Sequence, residues 1–186
     1  MALTKLAIVG GSSSGKTTLF DELVTAYKGN SKIAFVHESA RQYFNDNPSE
    51  NPFTLAIQEK ILDLALLKEK LARENNPDVI ITDTSALEVI FYTRAKGDNE
   101  GADHLLKRLE DYIPTYTKFL VMNHEEVKFE NDKIRKEDKQ TRDIVHEMIL
   151  DFYEKRDLPF EKISGTISER KKRVMEIISS YLRNDF

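Results

Sequence analysis

The spacing G-x-x-x-x-G-K-[ST] is filled by Gly10-Gly11-Ser12-Ser13-Ser14-Gly15-Lys16-Thr17. In that pattern a glycine-rich loop turns its backbone N–H groups around a phosphate chain, and the following helix adds the partial positive charge of its N-terminus. Lys16 then reaches the β- and γ-phosphates, the Thr17 hydroxyl is offered to Mg²⁺, and Thr18 continues the polar run. Both flanks suit the motif. Leu6-Ala7-Ile8-Val9 reads as a buried strand, and Thr17 to Tyr27 places Leu19, Phe20, Leu23, Val24 and Tyr27 on one helical face. A chance Gly/Ser loop with a lysine is the bland alternative, but it calls for neither flank. The expected ligand is a nucleoside triphosphate, ATP with Mg²⁺.

Three further groups carry chemistry. Asp83 closes the run Asp78-Val79-Ile80-Ile81-Thr82, the arrangement in which a carboxylate holds Mg²⁺ opposite the loop threonine. Thr84 and Ser85 could add hydroxyl contacts, and a helix N-cap at Asp83 or Ser85 is the structural alternative. The second group is His37-Glu38-Ser39-Ala40-Arg41. If a helix starts at Ser39, Glu38 faces the crevice, where it can take the proton of an acceptor hydroxyl or bond a sugar. Arg41 can orient the acceptor or offset charge on a transferred phosphoryl group. The competing reading is a local Glu–Arg pair worth about a few tenths of a kcal/mol.

The third group is the charged stretch from Lys128 to Arg142, within a segment of about 125–142 that sits where small kinases carry a lid. Phosphoryl transfer spreads negative charge over equatorial oxygens, which a closing segment with arginines can meet; Arg135 and Arg142 are the candidates. A solvated helix is the alternative. Gln58 could reach the acceptor pocket, and Tyr43, Phe44 and Phe53 could stack on a ring or belong to the core. His37, His104, His124 and His146 lack metal-ligand spacing and read as surface or capping residues.

These residues need elements to position them. Ile33–Val36, Val79–Ile81, Lys118–Met122 and Phe160–Ile163 read as further strands. Between them lie helical patterns from Pro52 to about Glu74, Ala86–Ala95, Asp103–Asp111, up to about Arg156, and from a Ser168 cap to about Leu182. Gly97-Asp98-Asn99-Glu100-Gly101 reads as a polar turn. Such alternation predicts one domain over 1–186 with a mostly parallel sheet covered on both faces. In these sheets ligands bind beyond the carboxyl ends of the strands, where the phosphate loop, Glu38 and Asp83 all fall.

The totals narrow the function classes. At 186 residues the chain suits one compact domain. A net charge of −4 with 32% charged residues gives no general attraction to nucleic acid or membrane. Lys171-Lys172-Arg173 is flanked by Glu169 and Glu176 and reads as a solvated helix face. With no cysteine, thiolate chemistry, disulfides and cysteine-based zinc sites are excluded. No apolar run nears the roughly 18 residues that span a bilayer, and no signal peptide is evident, so a cytoplasmic location is expected.

Taken together, these pieces resemble the P-loop kinase domain of NadR-type proteins, the nicotinamide riboside kinases, and the wider AAA-domain group around them. The resemblance spans nearly the whole chain. It rests on Gly10–Thr18, Glu38-Ser39-Ala40-Arg41, Leu55-Ala56-Ile57-Gln58, Asp83-Thr84-Ser85 with Tyr92, Asp132-Lys133-Ile134-Arg135 with Arg142, and Ser164-Gly165 with Glu169-Arg170. Lys133 stands where the family's lid has glycine, and Ser85 where the riboside kinases carry another acid. The resemblance implies a three-layer α/β/α P-loop NTPase fold with a five-stranded parallel sheet of order 2-3-1-4-5, as in nucleoside and nucleotide kinases. That order sets Asp83 beside the phosphate loop.

Two functions follow as expectations. The first is an ATP- and Mg²⁺-dependent kinase for a nucleoside-like acceptor, nicotinamide riboside by resemblance. In it Lys16 and the loop hold the phosphates, Thr17 and Asp83 hold the metal, Glu38 serves the acceptor, and Arg135 and Arg142 close over the γ-phosphoryl. The second is a nucleotide-binding regulatory ATPase or GTPase-like protein. An N-K-x-D guanine-reading motif is absent, and Asp98-Asn99-Glu100-Gly101 follows a helix where a switch motif would follow a strand. The acceptor's identity, the choice of ATP over GTP and the oligomeric state stay open at this level.

Overall fold

Alternate residues of the central strands are committed to two different apolar cores. In the computed structural model, residues 3–50, 54–127 and 139–182 are described. The strands are β1 (Thr4–Val9), β2 (Ile33–Val36), β3 (Val79–Asp83), β4 (Lys118–Met122) and β5 (Phe160–Ile163). They form one parallel sheet of order β2-β3-β1-β4-β5. The order implied by the family resemblance is the one observed.

The helices are α1 (Lys16–Ala26), α2 (Ser39–Asp46), α3 (Leu55–Glu74), α4 (Glu88–Ala95), α5 (Asn99–Leu109), α6 (Lys139–Lys155) and α7 (Ile167–Tyr181). Leu6, Ile8, Leu120 and Met122 pack with Leu19, Phe20 and Leu23 of α1 and Val174, Ile177 and Ile178 of α7. Ala7, Val9, Phe119 and Val121 face the other way, toward side chains of α3, α4, α5 and α6. Because strand side chains alternate with period two, one apolar run feeds both cores. The result is the three-layer α/β/α arrangement.

Helix starts differ from the sequence reading where side-chain caps decide them. The Thr54 hydroxyl accepts from the Ile57 amide and opens α3 at Leu55; Pro52 lies outside the described residues. The Asp98 carboxylate accepts from the Gly101 amide at 2.8 Å, so α5 begins inside what reads as a five-residue turn. Thr166, two residues before the expected Ser168, caps α7 in a reciprocal box with Glu169. That box satisfies two N-terminal amides at once, which Ser168 inside the first turn cannot do.

Near the amino ends of the strands a buried polar cluster ties α3 to β1 and to the segment that leads into β4. Lys5 Nζ donates to Glu69 at 2.7 Å and lies 4.0 and 3.9 Å from the ring centroids of Tyr112 and Tyr116. Both tyrosine hydroxyls also donate to Glu69, at 2.7 and 2.6 Å. The cluster is closed on itself: paired charges, satisfied hydrogen bonds and aromatic walls hold a fold together but offer nothing to a ligand.

Candidate active site

The phosphate loop occupies the turn between β1 and α1, at the carboxyl edge of the sheet. Gly10 and Gly15 take φ angles of +144° and +84°, conformations that a side chain would strain. Gly15 is the cap residue of α1, and no side chain caps that helix; its first turn also holds no acid. The helix therefore presents free N–H groups and an uncompensated dipole to whatever enters the loop. Ser12 and Ser14 have buried hydroxyls without partners among the described residues, and Thr18 is exposed at the start of α1.

Lys16 is buried, and its ammonium donates to the carbonyls of Gly10 at 2.6 Å and Gly11 at 3.0 Å. Those bonds hold the charge over the loop. Opposite it, the Thr17 hydroxyl donates to Asp83 Oδ2 at 3.1 Å. The sheet register pairs Ile8 with Asp83, which is what brings the end of β3 under the loop. Asp83 Oδ1 is buried and has no partner among the described residues. Burial pushes the Asp83 carboxyl up, while Lys16 and the Thr17 bond pull it down. A hydroxyl and a carboxylate with a free oxygen are hard donors, a set that fits Mg²⁺. The capping alternative falls away, because the α4 cap position is Leu87 and no side chain caps that helix. The residue after Asp83 is strained: Thr84 sits at φ +77°, which costs a β-branched residue about 1–3 kcal/mol.

The Glu38 segment approaches from the neighbouring edge. Helix α2 begins at Ser39, and Glu38 occupies the cap position without using its carboxylate as a cap. Its side chain is buried, with Oε2 3.4 Å from Arg41 Nε. The local Glu–Arg pair is therefore formed, and Arg41 is half-exposed beside it. Lys68 of α3 donates to the carbonyls of His37 and Glu38 and senses the Asp83 charge; burial lowers its pKa and Asp83 raises it. Nothing in the sequence singles Lys68 out of the charged face of a long helix. Gln58 is buried on α3.

Of the two arginines read as lid residues, Arg135 lies outside the described residues. Arg142 belongs to α6 and is 3% exposed. It abuts the loop so closely that a Cβ added to Gly11 would stand 2.6 Å from the Arg142 carbonyl oxygen and 2.7 Å from its Cγ. The last four residues of the charged stretch are thus the first turn of a packed helix. On the other flank Arg170, 2% exposed, donates to the carbonyls of Gly165 (2.7 Å), Ser14 (3.1 Å) and Asn123 (2.9 Å) and pairs with Glu126. A rigid guanidinium fork suits this joining of three loops, because each donor has a fixed direction.

Beside Arg142 a cavity of about 700 Å³ is lined by Asn123, His124, Asp143, His146 and Lys162 among others. The two histidine rings lie tilted against each other with centroids 4.1 Å apart, and His124 Nε2 lies 3.2 Å from Asp143. His146 is 7% exposed, which corrects its reading as a surface or capping residue. Burial, then His124 and Lys16, lower its pKa to about 4. Between pH 6.5 and 4 the unfolded chain binds a proton at this position that the folded chain does not, so stability falls on acidification across that window. The expected loss is on the order of 2–3 kcal/mol. Urea midpoints at pH 7 and 4.5 should show a smaller acid loss for His146→Gln than for wild type; identical losses would remove His146 as the cause.

Sequence reasoning missed Glu88, the first residue of α4. It is 5% exposed; burial pushes its carboxyl up, while Lys16, Thr84 and the Gly10 amide pull it down. The available signal was one acid inside the apolar run Ala86-Leu87-Glu88-Val89-Ile90-Phe91.

Loop, helix N-terminus and Thr17–Asp83 pair on a 2-3-1-4-5 sheet define a P-loop α/β/α domain. The chain belongs to the family described as AAA domain, whose sequence model matches residues 5–170. No curated protein matches the sequence. Among solved structures it is similar to NadR protein in complex with NAD and AMP-PNP, with a TM-score of 0.74 at 16% identity, covering 99% of this chain and 51% of that one. It thus spans about half the length of NadR. It is also similar to thymidylate kinase from Candida albicans (TM-score 0.69, 18% identity, 96% of this chain and 92% of that one). Deoxyadenosine kinase from M. mycoides, with dCMP and dCDP, aligns with a TM-score of 0.64 at 15% identity, over 95% of this chain and all of the other. At these identities the likeness establishes the fold. Among the described residues no helix is long and apolar enough to cross a membrane.

Proposed function

We propose that this chain is a Mg²⁺- and ATP-dependent kinase that transfers the γ-phosphoryl group to a hydroxyl of a nucleoside-like small molecule, nicotinamide riboside being the first acceptor to try. The observation that carries this reading is the Thr17–Asp83 contact of 3.1 Å beneath the loop, with Asp83 Oδ1 buried and without a partner among the described residues. The NadR structure with AMP-PNP and the deoxyadenosine kinase structure with dCMP and dCDP support it by shared fold.

Bound Mg²⁺ would offset phosphate charge and orient the transferring group. Thr17 and Asp83 would hold it. The loop amides and the α1 N-terminus would fix the phosphate chain. Lys16 would leave the Gly10 and Gly11 carbonyls for phosphate oxygens and stabilise charge that develops there. Glu38 would accept the proton of the acceptor hydroxyl, with Arg41 keeping the carboxylate oriented. Arg142, already against Gly11, would add positive charge on the γ side, and Arg135, in the charged stretch ahead of α6, would add more.

A panel of nucleosides and nucleotides with γ-labelled ATP tests the reading, run with Mg²⁺ and with EDTA. The expected result is label transferred to one small-molecule class, only with the metal. Hydrolysis that ignores every acceptor and rises with a protein partner would replace the kinase by a nucleotide-dependent regulator.

A further inference from the structure

One buried cation at the edge of the site has no part in the reaction just proposed. Arg170 of α7 is 2% exposed and stands 156 positions from Ser14 in the chain. Burying a guanidinium is costly unless its donors are met, and neither α7 nor the core calls for one here. The helix is closed at its start by the Thr166–Glu169 box, and it packs on the sheet through Val174, Ile177 and Ile178. The donors of Arg170 go instead to backbone oxygens of three loops: Nε to Gly165, Nη1 to Ser14 and Nη2 to Asn123. Glu126 Oε2 lies 3.0 Å from Nη2 and also accepts from the Gly165 amide at 2.6 Å, so the fork is itself held in place.

The bond to Ser14 bears on the phosphate cradle. A trans peptide sends its carbonyl and its N–H in opposite directions. A Ser14 carbonyl held toward α7 therefore turns the Gly15 N–H away from α7, into the loop. Gly15 does not select that orientation by itself. It sits at φ +84°, and glycine takes positive and negative φ about equally, so the Ser14–Gly15 peptide can turn over with little resistance from Gly15. Arg170 Nη1 removes that freedom from outside; it lies 3.7 Å from where a Gly15 Cβ would stand.

We propose that Arg170 is a positioning residue for the nucleotide: by holding the Ser14 carbonyl outside the loop it fixes the Gly15 N–H as a donor to phosphate, and the loop's grip on ATP·Mg²⁺ depends on it. This rests on the nucleotide half of the kinase reading and not on the acceptor. Arg170→Met removes the donors and keeps much of the side chain's bulk. Titration calorimetry should show it binding ATP·Mg²⁺ about 10–100-fold more weakly than wild type, the range for a hydrogen bond to a charged group. At saturating ATP the KM for the acceptor should stay within about twofold of wild type. Arg170→Lys keeps the charge but not the three fixed directions, and it should lose about as much affinity as the methionine variant. Wild-type affinity in Arg170→Met would overturn the proposal. Full recovery in Arg170→Lys would overturn it too, because the loop would then need charge and not orientation.

Should the Arg170 variants fail to fold, Glu126→Gln in protein labelled with ¹⁵N-glycine gives the answer, since the Glu126 side chain is 40% exposed and the change loosens the fork without emptying it. The Gly165 amide resonance should move because its acceptor has changed. The Gly15 resonance, tied to Glu126 through Arg170 and Ser14, should move with it. A Gly15 resonance that stays in place while Gly165 moves would overturn the proposal. Nucleotide affinity is the readout, so wild type that binds ATP·Mg²⁺ but phosphorylates nothing would end the kinase reading while the Arg170 comparison still decides this one; wild type that binds no ATP·Mg²⁺ would end both.

Discussion

Replacing Lys16 by alanine is expected to lower phosphoryl transfer by about 10²–10³-fold, because it removes the one loop side chain able to follow charge onto the γ-phosphate. The geometry explains why the fold should survive. Lys16 Nζ donates to the Gly10 and Gly11 carbonyls at 2.6 and 3.0 Å, and the loop is held independently by Arg170 at Ser14 and by Arg142 against Gly11. Loss of two such bonds costs about 1–3 kcal/mol, a modest part of a domain's stability. Turnover of labelled ATP, measured beside thermal unfolding, separates the two effects. A Lys16→Ala protein that unfolds at the wild-type temperature yet turns over within tenfold of wild type would show that the ammonium does not track the transferred group.

How far the sequence carries depends on whether a feature is local. Strands β1, β2 and β4 are legible because four apolar residues stand together, β3 because three do, and β5 only from Phe160 and Ile163 flanking two charged residues. The phosphate loop is legible because its spacing is fixed by backbone geometry. The division of Leu6, Ile8 and Ala7, Val9 between two cores follows from alternation alone. The strand order is not a local property. Alternation yields a parallel sheet but does not say which strand lies beside β1, and only the family resemblance supplied the order.

The side chains that escaped notice share one trait: their meaning comes from distant partners. Glu88 lies 72 positions from Lys16 in the chain and reads, taken alone, as the wet side of a short helix. His146 acquires its low pKa from burial, then from the charges of His124 and Lys16. Lys5 and Glu69, 64 residues apart, meet only because α3 crosses the amino end of β1. By contrast, the Thr166 cap was readable, since Thr166-x-x-Glu169 has capping-box spacing; Ser168 competed with it because it too precedes the apolar face of α7. Arg142 was drawn into a charged stretch by composition, yet its burial belongs to the tertiary contact with Gly11.

Glu38→Gln should reduce kcat by about 10²–10⁴-fold while leaving ATP·Mg²⁺ affinity near that of wild type. Glutamine preserves size and one carbonyl oxygen but cannot accept a proton, so the variant isolates base chemistry from shape. The local structure favours a clean result. Glu38 caps no helix amide, so the substitution does not unravel α2, and the carbonyls of His37 and Glu38 stay anchored by Lys68. Its partner Arg41 is half-exposed and can be solvated once the charge is gone. The pH profile supplies a second reading: wild-type kcat should fall on acidification as the carboxylate protonates, and the variant's small residual rate should lack that limb. If acceptor binding were the whole role of Glu38, KM for the acceptor would rise at an unchanged kcat. A variant with wild-type kcat, or one that keeps the acid limb, would move the base to another residue of the crevice.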